Sequence, residues 1–240
     1  MRRGARTRAW PALARLCALS LVAYAIAGCG GSSSGNGLSA RAPARVLAQA
    51  LAAGTRAATV HVAGSILSGG KPISLNMELV SGKGGAGLVA LDGLRLRLVG
   101  LDGSLYVAGN DAFYERLAGP SASRRLRGTW LKGPQDAPAL RALASLTSLR
   151  EVVEDALADH GRALTHDGVS RIHGRSAFAI GDLSGDGTVY VAATGVPYPL
   201  EIVWTGTRRG KLSFEDWNEP AAIAAPTSSV VDVAQLRATR

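Results

Sequence analysis

Two runs of strict alternation stand out along the chain. Leu75, Met77 and Leu79 are separated by Asn76 and Glu78, and Leu94, Leu96 and Leu98 by Arg95 and Arg97. A period of two places the aliphatic side chains on one face of an extended strand and the polar ones on the other. Strands with one dry and one wet face are the habit of antiparallel sheets. Gly, Asp and Asn turn signals delimit further predicted strands at Thr59–Gly64, Leu88–Leu91, Ser104–Ala108, Ser170–Ile180, Thr188–Ala192, Leu200–Thr205 and Lys211–Trp217. Asp92-Gly93 and Asp102-Gly103 suit two-residue hairpin turns, so the strands they join should pair antiparallel.

The period changes in two places. Pro43 is followed by Val46, Leu47, Ala50 and Leu51, one apolar helical face that Gly54 is placed to terminate. Within Pro138–Asp159, Leu140, Leu143, Leu146, Leu149, Val153 and Leu157 recur at helical spacing, and Ser148 with Glu151 has the capping-box pattern. That stretch therefore predicts two helices with a break near Thr147. The order of helix, strands, helix pair and strands predicts an α+β domain, an antiparallel sheet with its helices segregated to one face. After Pro226 the pattern fades into a tail expected to be partly loose.

The amino terminus reads differently. Arg2, Arg3, Arg6 and Arg8 precede a largely apolar run from Leu16 to Ala27, too short to span a ~30 Å hydrocarbon core and arranged as an export signal is. The sequence Ile26-Ala27-Gly28-Cys29 resembles the lipobox of bacterial lipoproteins. That likeness implies cleavage before Cys29, a thioether-linked diacylglycerol on its sulfur and an amide-linked acyl chain on its new amino group, which places the protein on the outer side of the cell membrane. Two or more acyl chains anchor stably where one does not. Gly30 to Gly37 is Gly/Ser-rich and behaves as a flexible coil. The organisation expected is a signal peptide over 1–28, lipidated cysteine and tether over 29–41, one domain over 42–226 and a tail over 227–240.

Charge and cysteine content narrow the function classes. The formal net charge is +9, but five arginines precede residue 29, and without them the balance is +4, which gives no nucleic-acid footprint. A hydrophobic fraction of 47% is too high for disorder. Of the two cysteines, Cys17 lies in the export signal, so Cys29 alone remains, leaving no internal disulfide and no multi-cysteine metal site.

Several motifs match by letter only. Gly82 to Gly87 fits GxGxxG, yet strand-like Leu88-Val89-Ala90-Leu91 follows it instead of a helix that could hold a pyrophosphate. Gly31-Ser32-Ser33-Ser34-Gly35 fits GxSxG inside the tether, where no nucleophile elbow forms. Asp182-Leu183-Ser184-Gly185-Asp186-Gly187 opens like a calcium loop, but its twelfth position is Ala193, so a hairpin turn is expected. His61, His160, His166 and His173 lack metal-ligand spacing. Glu154-Asp155 and Glu215-Asp216 are sequence neighbours whose side chains diverge, which gives glycosidase chemistry no support. The residues predict neither catalytic machinery nor a metal or cofactor.

The lipobox, the tether, strands flanking a mid-chain helix pair and the ending Leu212-Ser213-Phe214-Glu215-Asp216-Trp217-Asn218-Glu219-Pro220 resemble the LppX/LprA/LprF/LprG family of actinobacterial lipoproteins. Asp102-Gly103-Ser104-Leu105-Tyr106-Val107 and Asp167-Gly168-Val169 are similar to two further short motifs of that family, and the likeness runs from about Val46 to Pro226. Ser123-Arg124-Arg125-Leu126-Arg127 has no counterpart in the pattern and reads as a solvated basic loop. Trp130 beside Lys132 suits either a membrane-facing rim or ordinary packing.

The resemblance implies a half-barrel of the LolA/LolB kind, a curved sheet whose concave face is covered by helices and encloses an apolar cavity for acylated lipid or lipoglycan. It also implies transfer of that cargo across the cell envelope and an envelope transporter as a candidate partner for a monomeric carrier. Candidate wall residues are Leu75, Met77, Leu79, Leu94, Leu96, Leu98, Leu143, Leu146, Val153, Leu157, Leu200, Ile202, Trp204, Leu212 and Phe214. Inward alternation is equally what a filled core produces, so a packed lipoprotein that binds a protein partner or the cell wall remains the alternative.

Overall fold

The computed structural model describes residues 35–158 and 163–238. Residues 1–34, where the signal peptide, Cys29 and most of the tether are expected, and His160 lie outside the described residues. Twelve strands form one open sheet in the order β12-β6-β5-β4-β3-β2-β1-β11-β10-β9-β8-β7. In chain order, helix α1 (Pro43–Thr55) leads into a meander of β1 (Thr59–Ser68), β2 (Lys71–Val80), β3 (Gly84–Leu91), β4 (Leu94–Leu101) and β5 (Ser104–Gly109). Helices α2 (Asp111–Ala118) and α3 (Pro120–Leu126), strand β6 (Trp130–Pro134) and helices α4 (Arg141–Ala144) and α5 (Leu149–Ala158) follow. A second meander, β7 (Leu164–Ile172), β8 (Arg175–Asp182), β9 (Gly187–Ala192), β10 (Pro199–Trp204) and β11 (Arg209–Glu215), returns to β1. The chain ends in β12 (Val230–Asp232) and α6 (Val233–Ala238).

The fold is α+β, as expected, but the sheet is mixed: β12 runs parallel to β6 while the other pairs are antiparallel. The tail thus extends the sheet at its edge. At the other end of the domain, the segment expected to be flexible is already held at Asn36, whose side-chain amide donates to the carbonyls of Ala192 and Gly195. Leu38 is buried two residues later.

The expected hairpins form at Asp92-Gly93 and Asp102-Gly103, and Asp182 to Gly187 turns β8 into β9. The predicted single strand over Ser170–Ile180 is instead two strands. His173 and Gly174 take φ of 47° and 76°, so the chain reverses there. Histidine is less common than glycine in that region, which is why the turn has no strong sequence signature. The break near Thr147 is present: a 3-10 turn over Ser145–Thr147 separates α4 from α5, and the Ser148 hydroxyl accepts from the Glu151 backbone N–H. The basic stretch expected as a loop is helical through Leu126, and Arg127 pairs with Asp111 on α2 by donating from both Nε and Nη2.

Candidate functional site

Register lays the inward side chains out in rows across the sheet. One row runs Leu96, Val89, Leu75, Gly64, Leu212, Ile202, Val189 and Ile180 over eight strands. Toward one end of the strands the next rows hold Leu98, Gly87, Met77, Val62 and Phe214, then Gly100, Gly85, Leu79 and Val60. Here the glycines have a job. A Cβ on Gly100 would collide with the Thr147 side chain, and one on Gly85 would lie 2.9 Å from the Thr147 carbonyl oxygen. The bare backbone therefore lets the turn before α5 seat against β3 and β4.

Helices α1 and α5 join this face. Val46 and Ala50 of α1 and Leu149, Val153 and Leu157 of α5 belong to the same buried cluster as the inward sheet residues. Gly54 lets the end of α1 approach closely, since a Cβ there would sit 2.9 Å from Val153 Cγ1 and 3.3 Å from Trp217 Cη2.

Toward the opposite strand ends the wall continues as Leu94, Leu91, Ile73, Ile66, Gly210 and Trp204. The four aliphatic members of this row are only partly buried. Trp204 is 5% exposed, and among the described residues its buried indole N–H has no hydrogen-bond partner. A buried donor left unpaired is costly, and in native proteins it usually finds a partner. At the same strand ends the Lys71 ammonium donates to Asp92, 3.0 Å away, with Arg116 at 3.8 Å. The Lys71 hydrogen bond holds the Asp92 carboxyl below its ordinary range.

Of the fifteen wall residues named from sequence, Met77, Leu79, Leu96, Leu98, Val153, Leu157, Ile202, Trp204, Leu212 and Phe214 fall in this one buried cluster. Leu75, Leu94, Leu143 and Leu146 pack on its margin, partly exposed. Leu200 is a correction. It packs with Ala177 and Ala192 in a separate cluster, because a register shift between Pro199 and Glu201 turns it out of phase with Ile202. A bulge of this kind leaves no mark in the sequence, where Leu200, Ile202 and Trp204 keep a period of two. Sequence reasoning also passed over Val60, Val62, Val89, Phe178, Ile180, Val189 and Val191, all in the same cluster. Their alternation was legible, but short strands rich in valine read as generic strands.

A cleft of about 350 Å³ opens near the β7–β8 turn, lined in part by His173, Arg175, Tyr198, Glu215, Asp216 and Trp217. Its lining is mixed, charged side chains around a stack of Tyr198 on Trp217 with ring centres 4.6 Å apart. Beside it the nearly buried Glu201 carboxylate takes hydrogen bonds from Lys211 and Ser213 and lies 3.8 Å from His173. His61 lies 3.2 Å from the Asn76 side-chain oxygen, and His166 donates to the Arg41 carbonyl.

The fold can be compared with solved structures. LprF from Mycobacterium bovis superposes with a TM-score of 0.51 at 12% identity, over 78% of this chain and 97% of that one. The chain has the LprF fold. The likeness read from the sequence is thus met in the architecture. LppX from Mycobacterium tuberculosis matches at a TM-score of 0.47 and 18% identity, over 76% of this chain and 100% of that one. No protein family matches the chain by sequence, and no curated protein does.

Proposed function

We propose that the protein is a membrane-anchored, extracytoplasmic lipoprotein that shelters the acyl chains of a lipid or lipoglycan between its sheet and helices and passes it across the envelope. In this reading the sheet is a half-barrel, α1 and α5 cover its concave face, and Cys29 carries the anchor. The observation that carries it is the aliphatic row Leu94, Leu91, Ile73 and Ile66, which extends the buried wall to a partly exposed edge. A fatty acyl chain needs only such a wall, because its burial is non-directional and contributes about 25 cal/mol per Å². The indole N–H of Trp204 on the same row, unpaired among the described residues, supplies a donor for one polar group of the cargo. No covalent step belongs to this reading.

Native mass spectrometry of gently purified protein should show an added mass that organic solvent removes, and the emptied protein should take up a fluorescent fatty acid. Repeated recovery of ligand-free protein that takes up none would favour the packed alternative, an adhesion or partner-binding module. Position matters in a second test. Leu96→Trp and Ile202→Trp, which fill space on the wall, should lower uptake at least tenfold while costing roughly 1–3 kcal/mol of stability. Unfolding with uptake unchanged in the remaining folded fraction would identify both as plain core.

A further inference from the structure

We propose that the outward face of β3–β6 docks on an anionic lipid bilayer. The alternation that turns Val89, Leu96 and Leu98 inward turns Leu88, Arg95, Arg97, Tyr106, Trp130 and Lys132 outward. Register gathers them into one strip: Leu88 faces Arg97, Tyr106 faces Lys132, and β12 sets Val230 beside Trp130. The Arg97 guanidinium lies 4.7 Å from the centre of the Trp130 ring, and the Lys132 ammonium 5.6 Å from that of Tyr106. Leu88 and Val230 are 56% and 39% exposed, large apolar side chains left in solvent.

Charge and chemistry together select the occupant. Among the described residues Arg95, Arg97 and Lys132 make no ion pair. The carboxylates on this face are marginal: Asp232 opposite Lys132 at the sheet edge, where it accepts from the Ala234 N–H, and Glu78 opposite Ala86. Three unpaired cations attract an anionic surface. Tryptophan and tyrosine prefer the headgroup level of a bilayer, and long basic side chains lie along apolar surface with their charge toward phosphate. Leu88 and Val230 suit the boundary between headgroups and acyl chains, whereas a nucleic acid backbone would leave them unused. The strip lies on the opposite side of the sheet from the apolar wall, so it stands whether or not the interior carries cargo.

The test is co-sedimentation of the full chain bearing Cys29→Ser, which removes the acylation site, with vesicles of phosphatidylcholine alone or mixed with phosphatidylglycerol. The parent should bind the mixed vesicles more tightly, and salt should weaken the difference. Arg95→Gln/Arg97→Gln/Lys132→Gln should bind mixed vesicles roughly 100-fold more weakly, the product of three surface cations. Arg95→Lys/Arg97→Lys/Lys132→Arg should keep most of the binding, as should Arg124→Gln/Arg125→Gln elsewhere on the surface. Circular dichroism melting checks that each variant is folded. Equal binding by the triple glutamine variant and the parent would overturn the proposal. Loss in the charge-preserving variant, or an equal loss in the Arg124/Arg125 pair, would overturn it too. If the triple variant instead lost only single-stranded DNA binding, the face would belong to a nucleic acid and the proposal would fall.

Discussion

Cys29→Ala should shift the protein from the membrane fraction of the cell to the soluble fraction and abolish its labelling by an alkyne fatty acid. A single acyl chain holds a protein to a bilayer only marginally, at about 0.8 kcal/mol per buried methylene, while the two or more chains implied at Cys29 hold it stably. Removing the acceptor sulfur therefore removes the whole anchor. The run Leu16–Ala27 is much shorter than the ~20 residues that cross a bilayer, so it is a poor substitute. Fractionation and in-gel fluorescence read the two effects separately. Full membrane retention together with unchanged labelling would defeat the assignment of Cys29.

Phe214→Ala should produce the largest loss of stability among the wall residues. The ring is 1% exposed, sits 6.2 Å from the Trp217 ring and faces Val62 across the sheet. Trp217 in turn stacks on Tyr198, donates its indole N–H to the Pro199 carbonyl and touches the space that Gly54 leaves open. Truncating Phe214 empties the buried end of that stack beneath Trp217, at a cost of about 3–5 kcal/mol. For a domain of this size each kcal/mol moves the melting temperature by roughly 2–4 °C, so a fall of about 10 °C is expected in thermal unfolding. A fall of only about 2 °C would mean that the site collapses around the missing ring. The motif Leu212 to Pro220 that carried the family likeness thus has a structural role, closing β11 against α1 and the start of β10.

Local sequence reached some features and missed others for identifiable reasons. The inward sets Met77 and Leu79, and Leu96 and Leu98, were legible because a period of two allows one face only. The α4–α5 break was legible because Ser148 and Glu151 announce a helix start. Helix α2 was not. It spans only Asp111–Ala118, about two turns, too few for its apolar residues to establish a helical period. Its cap, the Asn110 side chain accepting from the Phe113 N–H, is a single residue that fits a loop equally well. Leu200 was misplaced because a bulge reverses the phase of every residue beyond it without changing composition.

What the sequence determined by itself is the phase of each strand, hence which side chains share a face, since pleating follows from covalent geometry within one segment. What only the tertiary structure decided is which strands lie side by side. Strand β1 meets β11 across the whole chain, and β12 joins β6 in parallel. Those pairings bring Leu212 and Ile202 into line with Leu75 and Leu96, and set Val230 against Trp130. Backbone hydrogen bonds between distant segments are nearly the same for any pair of strands, so the partner is chosen by how all the faces pack together at once, and no local pattern records that choice.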